Sequence, residues 1–135
     1  MKRELEKLAR HRLGRAKEAF AEGEYLLTNS AFMGAVNRLY YAAFYAARSL
    51  LALTEMDSSR HSGVITLFQK HFVKSGLIKA DTAKALPRAF EKRQKSDYGD
   101  FSTVTAKEAR SVRDEVKTFV EECARVLEKS IAEEE

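Results

Sequence analysis

The sequence is poor in chain breakers and in sulfur: one proline (Pro87), six glycines and one cysteine among 135 residues. So few breakers, beside abundant Ala, Leu, Glu, Lys and Arg, exclude a turn-rich β fold and favour long helices. A lone thiol, Cys123, leaves no internal disulfide and points to a reducing compartment. No run of about 18 apolar residues escapes interruption by charge, so no segment is expected to span a membrane. Met1-Lys2-Arg3-Glu4 turns charged at once and lacks the apolar stretch of a signal peptide. A cytoplasmic location without membrane association is the expectation. The glycine-rich phosphate loops of NTPases and dehydrogenases are missing. His11, His61 and His71 have no Cys or carboxylate at ligand spacing, and no Glu-x-x-His pair occurs, so neither a metal nor a cofactor is expected.

What is present describes one globular domain spanning residues 1–135. With 44% hydrophobic and 33% charged residues, the chain can build one core and no second. The net charge of +4 is unevenly spread. Between residues 60 and 95, nine Lys/Arg (Arg60, Lys70, Lys74, Lys79, Lys84, Arg88, Lys92, Arg93, Lys95) face only Asp81 and Glu91, a local +7. Such a basic third is read either as a phosphate-binding footprint or as an ordinary solvated helix face.

The apolar periodicity predicts an all-α fold, an up-and-down antiparallel bundle of four main helices plus a short extra one. A first helix, about residues 3–27, carries the stripe Ala9, Leu13, Ala16, Phe20, Gly23, Leu27. Gly23 within it predicts close approach by a neighbouring helix. Asn29 or Ser30 is the expected cap of a second helix, about residues 31–53. That helix is apolar around most of its circumference, which places it at the centre of the bundle. Asn37, Tyr41, Tyr45 and Arg48 form a single polar line along it. A third helix is expected to stop at Lys74-Ser75-Gly76, with Gly76 as a left-handed cap. A fourth, about residues 81–93, should be kinked or split by Pro87. Residues 94–102 read as a loop, and Thr105-Ala-Lys-Glu108 as a capping box opening the last helix. On that helix Ala109, Val112, Val116, Phe119, Cys123, Val126 and Ile131 form the apolar stripe, which makes Cys123 a core residue rather than a nucleophile.

Two places break the local rules. The segment from Arg93 through Lys95, Asp97, Tyr98 and Asp100 to Phe101 is crowded with polar and aromatic groups. Its bland reading has Asp97 or Asp100 capping the last helix, Tyr98 and Phe101 plugging the bundle end, and Arg93 paired with an aspartate. The polar line on the second helix likewise reads as buried tyrosines with satisfied hydroxyls and Asn37 setting helix register. Taken together, the two look like the walls of a cleft.

These residues resemble a known family. Asn37-Arg38-Leu39-Tyr40-Tyr41-Ala42-Ala43-Phe44-Tyr45-Ala46-Ala47-Arg48 resembles the second helix of HEPN domains (higher eukaryotes and prokaryotes nucleotide-binding). His61-Ser-Gly-Val-Ile-Thr-Leu-Phe68, Phe72-Val-Lys-Ser-Gly76 and Arg93-Gln-Lys-Ser-Asp97-Tyr98 continue the likeness in order, from about residue 8 to 130. It is most similar to the small stand-alone prokaryotic subfamily. The resemblance implies a helical bundle that forms homodimers and binds RNA or nucleotides. It further implies a metal-independent endoribonuclease toxin, paired with a minimal nucleotidyltransferase as antitoxin. The family signature is an Arg followed, after four to six residues, by a His. Here Arg93 matches the arginine, while Tyr98 occupies the earliest position of the histidine and no His follows in reach. Some family toxins are silenced by adenylylation of a tyrosine near this motif, a role the resemblance offers to Tyr98.

Metal-free RNA cleavage needs a base for the 2′-hydroxyl proton, an acid for the leaving 5′-oxygen and a cation on the developing phosphorane charge. Arg93 suits the third task through two-pronged phosphate binding. Tyrosine, near pKa 10, suits the acid better than the base. Arg93, Asp97 and Tyr98 are therefore the candidate catalytic residues, and Asn37, Tyr41, His61 and Lys95 the candidates for binding RNA or nucleotide; Asp97 and His61 are the candidates for the base. A non-catalytic module that holds a nucleotide or docks onto a partner, and a purely structural assembly domain, are the alternatives.

Overall fold

Small residues at helical spacing let the first two helices lie close. The computed structural model describes residues 2–99 and 103–134, with the backbone alone for Tyr98 and Glu134. Helix α1 (Lys2–Thr28) buries Ala9, Leu13, Ala16, Ala19 and Gly23 along one stripe. A Cβ on Gly23 would stand 2.8 Å from Leu39 Cγ of α2 (Phe32–Leu53), so this helix contact requires glycine. Ser30, with φ of 60°, turns the chain back, and the first residue before α2 is Ala31, without a side-chain cap. Asn29 instead donates from its side-chain amide to the Tyr25 carbonyl of the preceding turn, so neither expected residue caps α2.

Helix α2 packs against α1, α6, α5 and α3. Thirteen of its 22 residues are buried, among them Val36, Leu39, Tyr40, Phe44, Leu50 and Leu51. Its apolar circumference is consumed inside the bundle, as a helix without a polar half requires. Helix α3 (His61–Phe68) runs on into a π-helical turn, Gln69–Val73, closed by Lys74 N–H donating to the Gln69 carbonyl. Gly76 then stops it with φ of 83°, in the left-handed region predicted for it. Phe68 stacks on Phe72 and meets Phe119 edge-on, which locks α3 to α6.

The segment around Pro87 is split in two, as expected, but ahead of the proline itself. The break falls at Lys84, between the short α4 (Ala80–Ala83) and α5 (Ala85–Tyr98), and Pro87 sits in the first turn of α5. A missing N–H costs nothing there, because first-turn amides have no intrahelical acceptor. Helix α5 also continues through Tyr98, so Arg93 and Asp97 are helical residues one turn apart rather than loop residues. Helix α6 (Ala106–Glu134) opens on the reciprocal box: Glu108 N–H donates to Thr105 Oγ1, and Thr105 N–H to Glu108 Oε1. Cys123 is buried within it, and burial pushes its thiol pKa well up.

The directions follow from the cross-links. Arg12 reaches Arg48, Arg10 pairs with Glu128, and Arg88 and Lys92 pair with Glu115 and Glu108. Helix α1 is thus antiparallel to α2 and α6, and α5 antiparallel to α6. This is the all-α, up-and-down bundle that the periodicity predicts. Among the described residues there is no β-strand, and no helix is long and apolar enough to cross a membrane.

Candidate functional site

A tyrosine at the centre of a bundle must find a partner for its hydroxyl. Tyr40 has no exposed surface, and its hydroxyl is hydrogen-bonded to Nδ1 of His61 at 2.6 Å. His61 is the first residue of α3, held there by the polar connection from α2. Its ring stacks on Phe44, with centroids 4.4 Å apart and planes within 17°, and lies edge-on to Tyr41. From the third side, α5 brings Phe90 against Tyr40 and His61. One turn further along, it brings the Arg93 guanidinium over the rings of Tyr40 and Tyr41, at 5.3 and 5.2 Å.

Arg93 is mostly covered, with 18% of its side chain exposed, and its Nε stands 3.2 Å from Asp97 Oδ2. That approach is an ion contact without hydrogen-bond direction, so the buried Nε–H has no acceptor among the described residues. A charged donor left unsatisfied in a low-dielectric site is costly unless a ligand or a small rotation supplies an oxygen.

The connection between α2 and α3 is tied down by a second arginine system. Arg48 grips Asp57 in two-pronged fashion, Nε to Oδ1 at 3.2 Å and Nη2 to Oδ2 at 2.7 Å, while lying over Phe44. Arg12 of α1 adds Nη2 to Asp57 Oδ2 at 3.1 Å and Nη1 to the Arg48 carbonyl. Burial would raise the Asp57 pKa. The Arg48 hydrogen bond, the Ser58 amide and the charges of Arg48 and Arg12 outweigh it and hold the carboxyl below its ordinary value.

The electrostatics follow from this crowding. Burial pushes the Tyr40 phenol far above its usual 10, and the charge of Arg93 offsets only part of that. Burial also lowers the His61 pKa from 6.5, and the charges of Arg93 and then Arg48 lower it further. At neutral pH the site holds a neutral imidazole, an un-ionised phenol and at least two arginines. An aromatic floor beneath guanidinium groups can take a nucleobase by stacking and a phosphate by charge.

The candidate residues divide between two faces. Arg93, Asp97, Tyr41 and His61 come together around Tyr40. Asn37 lies one turn before Tyr41 on α2, half-buried, and its side chain makes no hydrogen bond among the described residues. Lys95 goes elsewhere. It pairs loosely with Glu91 and lines a groove of about 450 Å³ between α5 and α6, which neither Arg93 nor His61 borders. Tyr98 ends α5, but its side chain lies outside the described residues, as do Asp100 and Phe101. Nor does the basic third form one free surface. Arg88, Lys92, Lys84 and Lys95 each have a carboxylate partner, and Lys92 together with Thr105 draws the Glu108 pKa down to about 2. The arginines gathered beside Arg93 come from other segments. Arg38 lies over Tyr41 at 5.4 Å, Arg15 over Tyr45 at 5.1 Å, and Arg48 over Phe44.

Sequence reasoning passed over Tyr40, Arg12 and Asp57. Tyr40 reads as one more apolar residue of a buried helix. The signal was its hydroxyl, which a core phenylalanine would not carry. Arg12 and Asp57 stand 45 residues apart, and nothing local links them.

Comparison with known proteins places these features in a family. The model of the HEPN domain matches residues 9–129. A Thermotoga maritima protein named "UPF0332 protein" is 39% identical over 97 residues, 72% of this chain and 74% of its own length. Two proteins of Methanocaldococcus jannaschii are also similar. "Putative toxin MJ0142" is 32% identical over 80% of this chain and 71% of its own, and "Putative toxin MJ0605" 31% identical over 83% of each.

Proposed function

This chain belongs to the HEPN domain family, and on that premise we propose that it binds RNA at the Arg93 cluster and cleaves it without a metal ion. The observation that carries the reading is the Arg93 guanidinium, stacked on Tyr40 and Tyr41 with a buried Nε–H that lacks an acceptor. Once a small rotation of Arg93 brings that N–H to the surface, a phosphodiester oxygen is the proposed acceptor, and Tyr41, half-buried beside the wholly buried Tyr40, is the ring proposed to take the adjoining base.

In the proposed reaction the 2′-oxygen attacks phosphorus while Asp97 accepts its proton. The P–O5′ bond breaks, and Tyr98 protonates the departing 5′-oxygen. A 2′,3′-cyclic phosphate and a 5′-hydroxyl result, and Arg93 neutralises the charge that builds on phosphorus. Tyr98 stands one residue beyond Asp97 at the end of α5. The biological setting proposed is the toxin half of a pair with a minimal nucleotidyltransferase, acting as a homodimer in the cytoplasm. Of this, the toxin part is supported by the two relatives with the word toxin in their names.

The test is cleavage of labelled RNA by purified protein in EDTA, beside Arg93→Ala and Tyr98→Phe. Loss of an acid–base group should slow the reaction by roughly 10²–10⁴-fold, and Arg93→Ala should abolish it. Equal cleavage by Arg93→Ala would refute the assignment. A folded protein that binds RNA through Arg93 without cutting it would instead be a non-catalytic binding module, the reading favoured by a tyrosine at the family's histidine position.

A further inference from the structure

Among the described residues the Tyr40 hydroxyl has one hydrogen bond, to His61 Nδ1, and Tyr40 is wholly buried. Two arrangements of the protons satisfy a 2.6 Å contact. If His61 carried its proton on Nδ1, the tyrosine would accept, and its own O–H would be left inside the core without an acceptor among the described residues. If the tyrosine donates, both groups are satisfied and the imidazole proton must sit on Nε2. Leaving a buried hydroxyl proton unpaired is the costlier choice.

The surroundings favour the same state. The groups facing the ring are Tyr40, Tyr41, Phe44 and Arg48 from α2, and Phe90 and Arg93 from α5. None is a carboxylate, the phenols stay un-ionised near neutral pH, and the two charged groups are cations that oppose a third positive charge. His61 as a residue is half-buried, and its Nε2 has no hydrogen bond among the described residues. A neutral imidazole so placed can donate from Nε2 but cannot take up a proton there.

We propose that Tyr40 is a positioning residue that fixes His61 in its Nε2–H form, making His61 a neutral hydrogen-bond donor to the phosphate oxygens gripped by Arg93. This rests on Arg93 as the phosphate anchor. It assigns His61 a role distinct from the acid–base work of the family histidine: it shares the anionic oxygen with Arg93 and moves no proton.

The decisive measurement is nitrogen-15 NMR of the histidine rings of the intact protein near neutral pH, with the His61 signals identified by their loss in His61→Gln. Nδ1 is expected unprotonated and displaced by a strong hydrogen bond, with Nε2 protonated; in Tyr40→Phe the displacement should vanish. A protonated Nδ1, or an Nδ1 signal indifferent to Tyr40→Phe, would overturn the proposal. Binding of a short oligouridylate supplies the second arm. His61→Gln, which keeps an N–H donor, should retain affinity to within about threefold, whereas His61→Phe should lose roughly tenfold or more. Equal loss in both would show that the donor is not what matters. Unimpaired binding by Arg93→Ala would instead sink the phosphate-anchor reading and leave the NMR result standing.

Discussion

Burial and the charges of Arg93 and Arg48 depress the His61 pKa below its ordinary 6.5, and that has a stability consequence at the scale of one residue. The folded chain prefers the neutral ring, so the unfolded chain takes up the proton first as pH falls. The contribution of His61 is present above about pH 6.5 and is lost as pH falls toward the folded-state value. Urea midpoints measured at about pH 7.5 and about pH 5.5 should therefore fall further for the wild type than for His61→Phe. An equal fall would mean that the ring is not held neutral. Tyr40 does not titrate in this range, since burial has driven its phenol far upward. Its part is to keep a hydroxyl proton directed at Nδ1.

At the scale of the element, α5 does the most to build the site, and its geometry comes from where it begins and ends. The break at Lys84 lets Pro87 occupy the first turn, and the helix then runs unbroken to Tyr98. Arg93 and Asp97 are thereby held one turn apart on one face, while Lys95 is carried round to the groove facing α6. Helix α6 has its own anchor. Thr105→Ala removes one half of the capping box and should cost about 1 kcal/mol in urea unfolding. A loss near zero would mean that the N-terminus of α6 is held by packing alone. The box was legible beforehand because Thr and Glu at this spacing satisfy each other's backbone donors whatever the rest of the chain does. The supposed cap at Asn29 or Ser30 was not, because Ser30 turned left-handed to close the α1–α2 hairpin.

At the scale of the molecule, charge is arranged differently from its distribution along the chain. The basic third spends Arg88 and Lys92 on glutamates of α6, which clamp α5 in place. To the aromatic cluster the basic third gives Arg93, and the other cations that crown it, Arg15, Arg38 and Arg48, come from α1 and α2. If Arg93 binds a backbone phosphate, RNA affinity should fall steeply with salt, and Arg93→Ala should flatten the log–log slope by about 0.7. Filter binding across a salt series measures it. A substitution of Lys95 should leave binding by the cluster nearly unchanged, and an effect as large as that of Arg93→Ala would join the α5–α6 groove to the site.

The sequence by itself determined the order of the helices, though not the end of α5, together with the centrality of α2, the glycine contact at Gly23, the stop at Gly76 and the start of α6. Each depends on periodicity, cap chemistry or backbone freedom, which act over a few residues. It also singled out Arg93, Asp97 and Tyr41, through the unusual residue types of two segments, and His61 through the family resemblance of motifs in order along the chain. Only the tertiary structure decided that Arg93 lies against Tyr40 and Tyr41, that His61 shares those rings from another helix, and that Arg12 reaches Asp57. These meetings depend on how each helix is rotated about its own axis. That rotation is set by which faces of α1, α5 and α6 bury α2, a choice made by the packed core as a whole and by no segment of it.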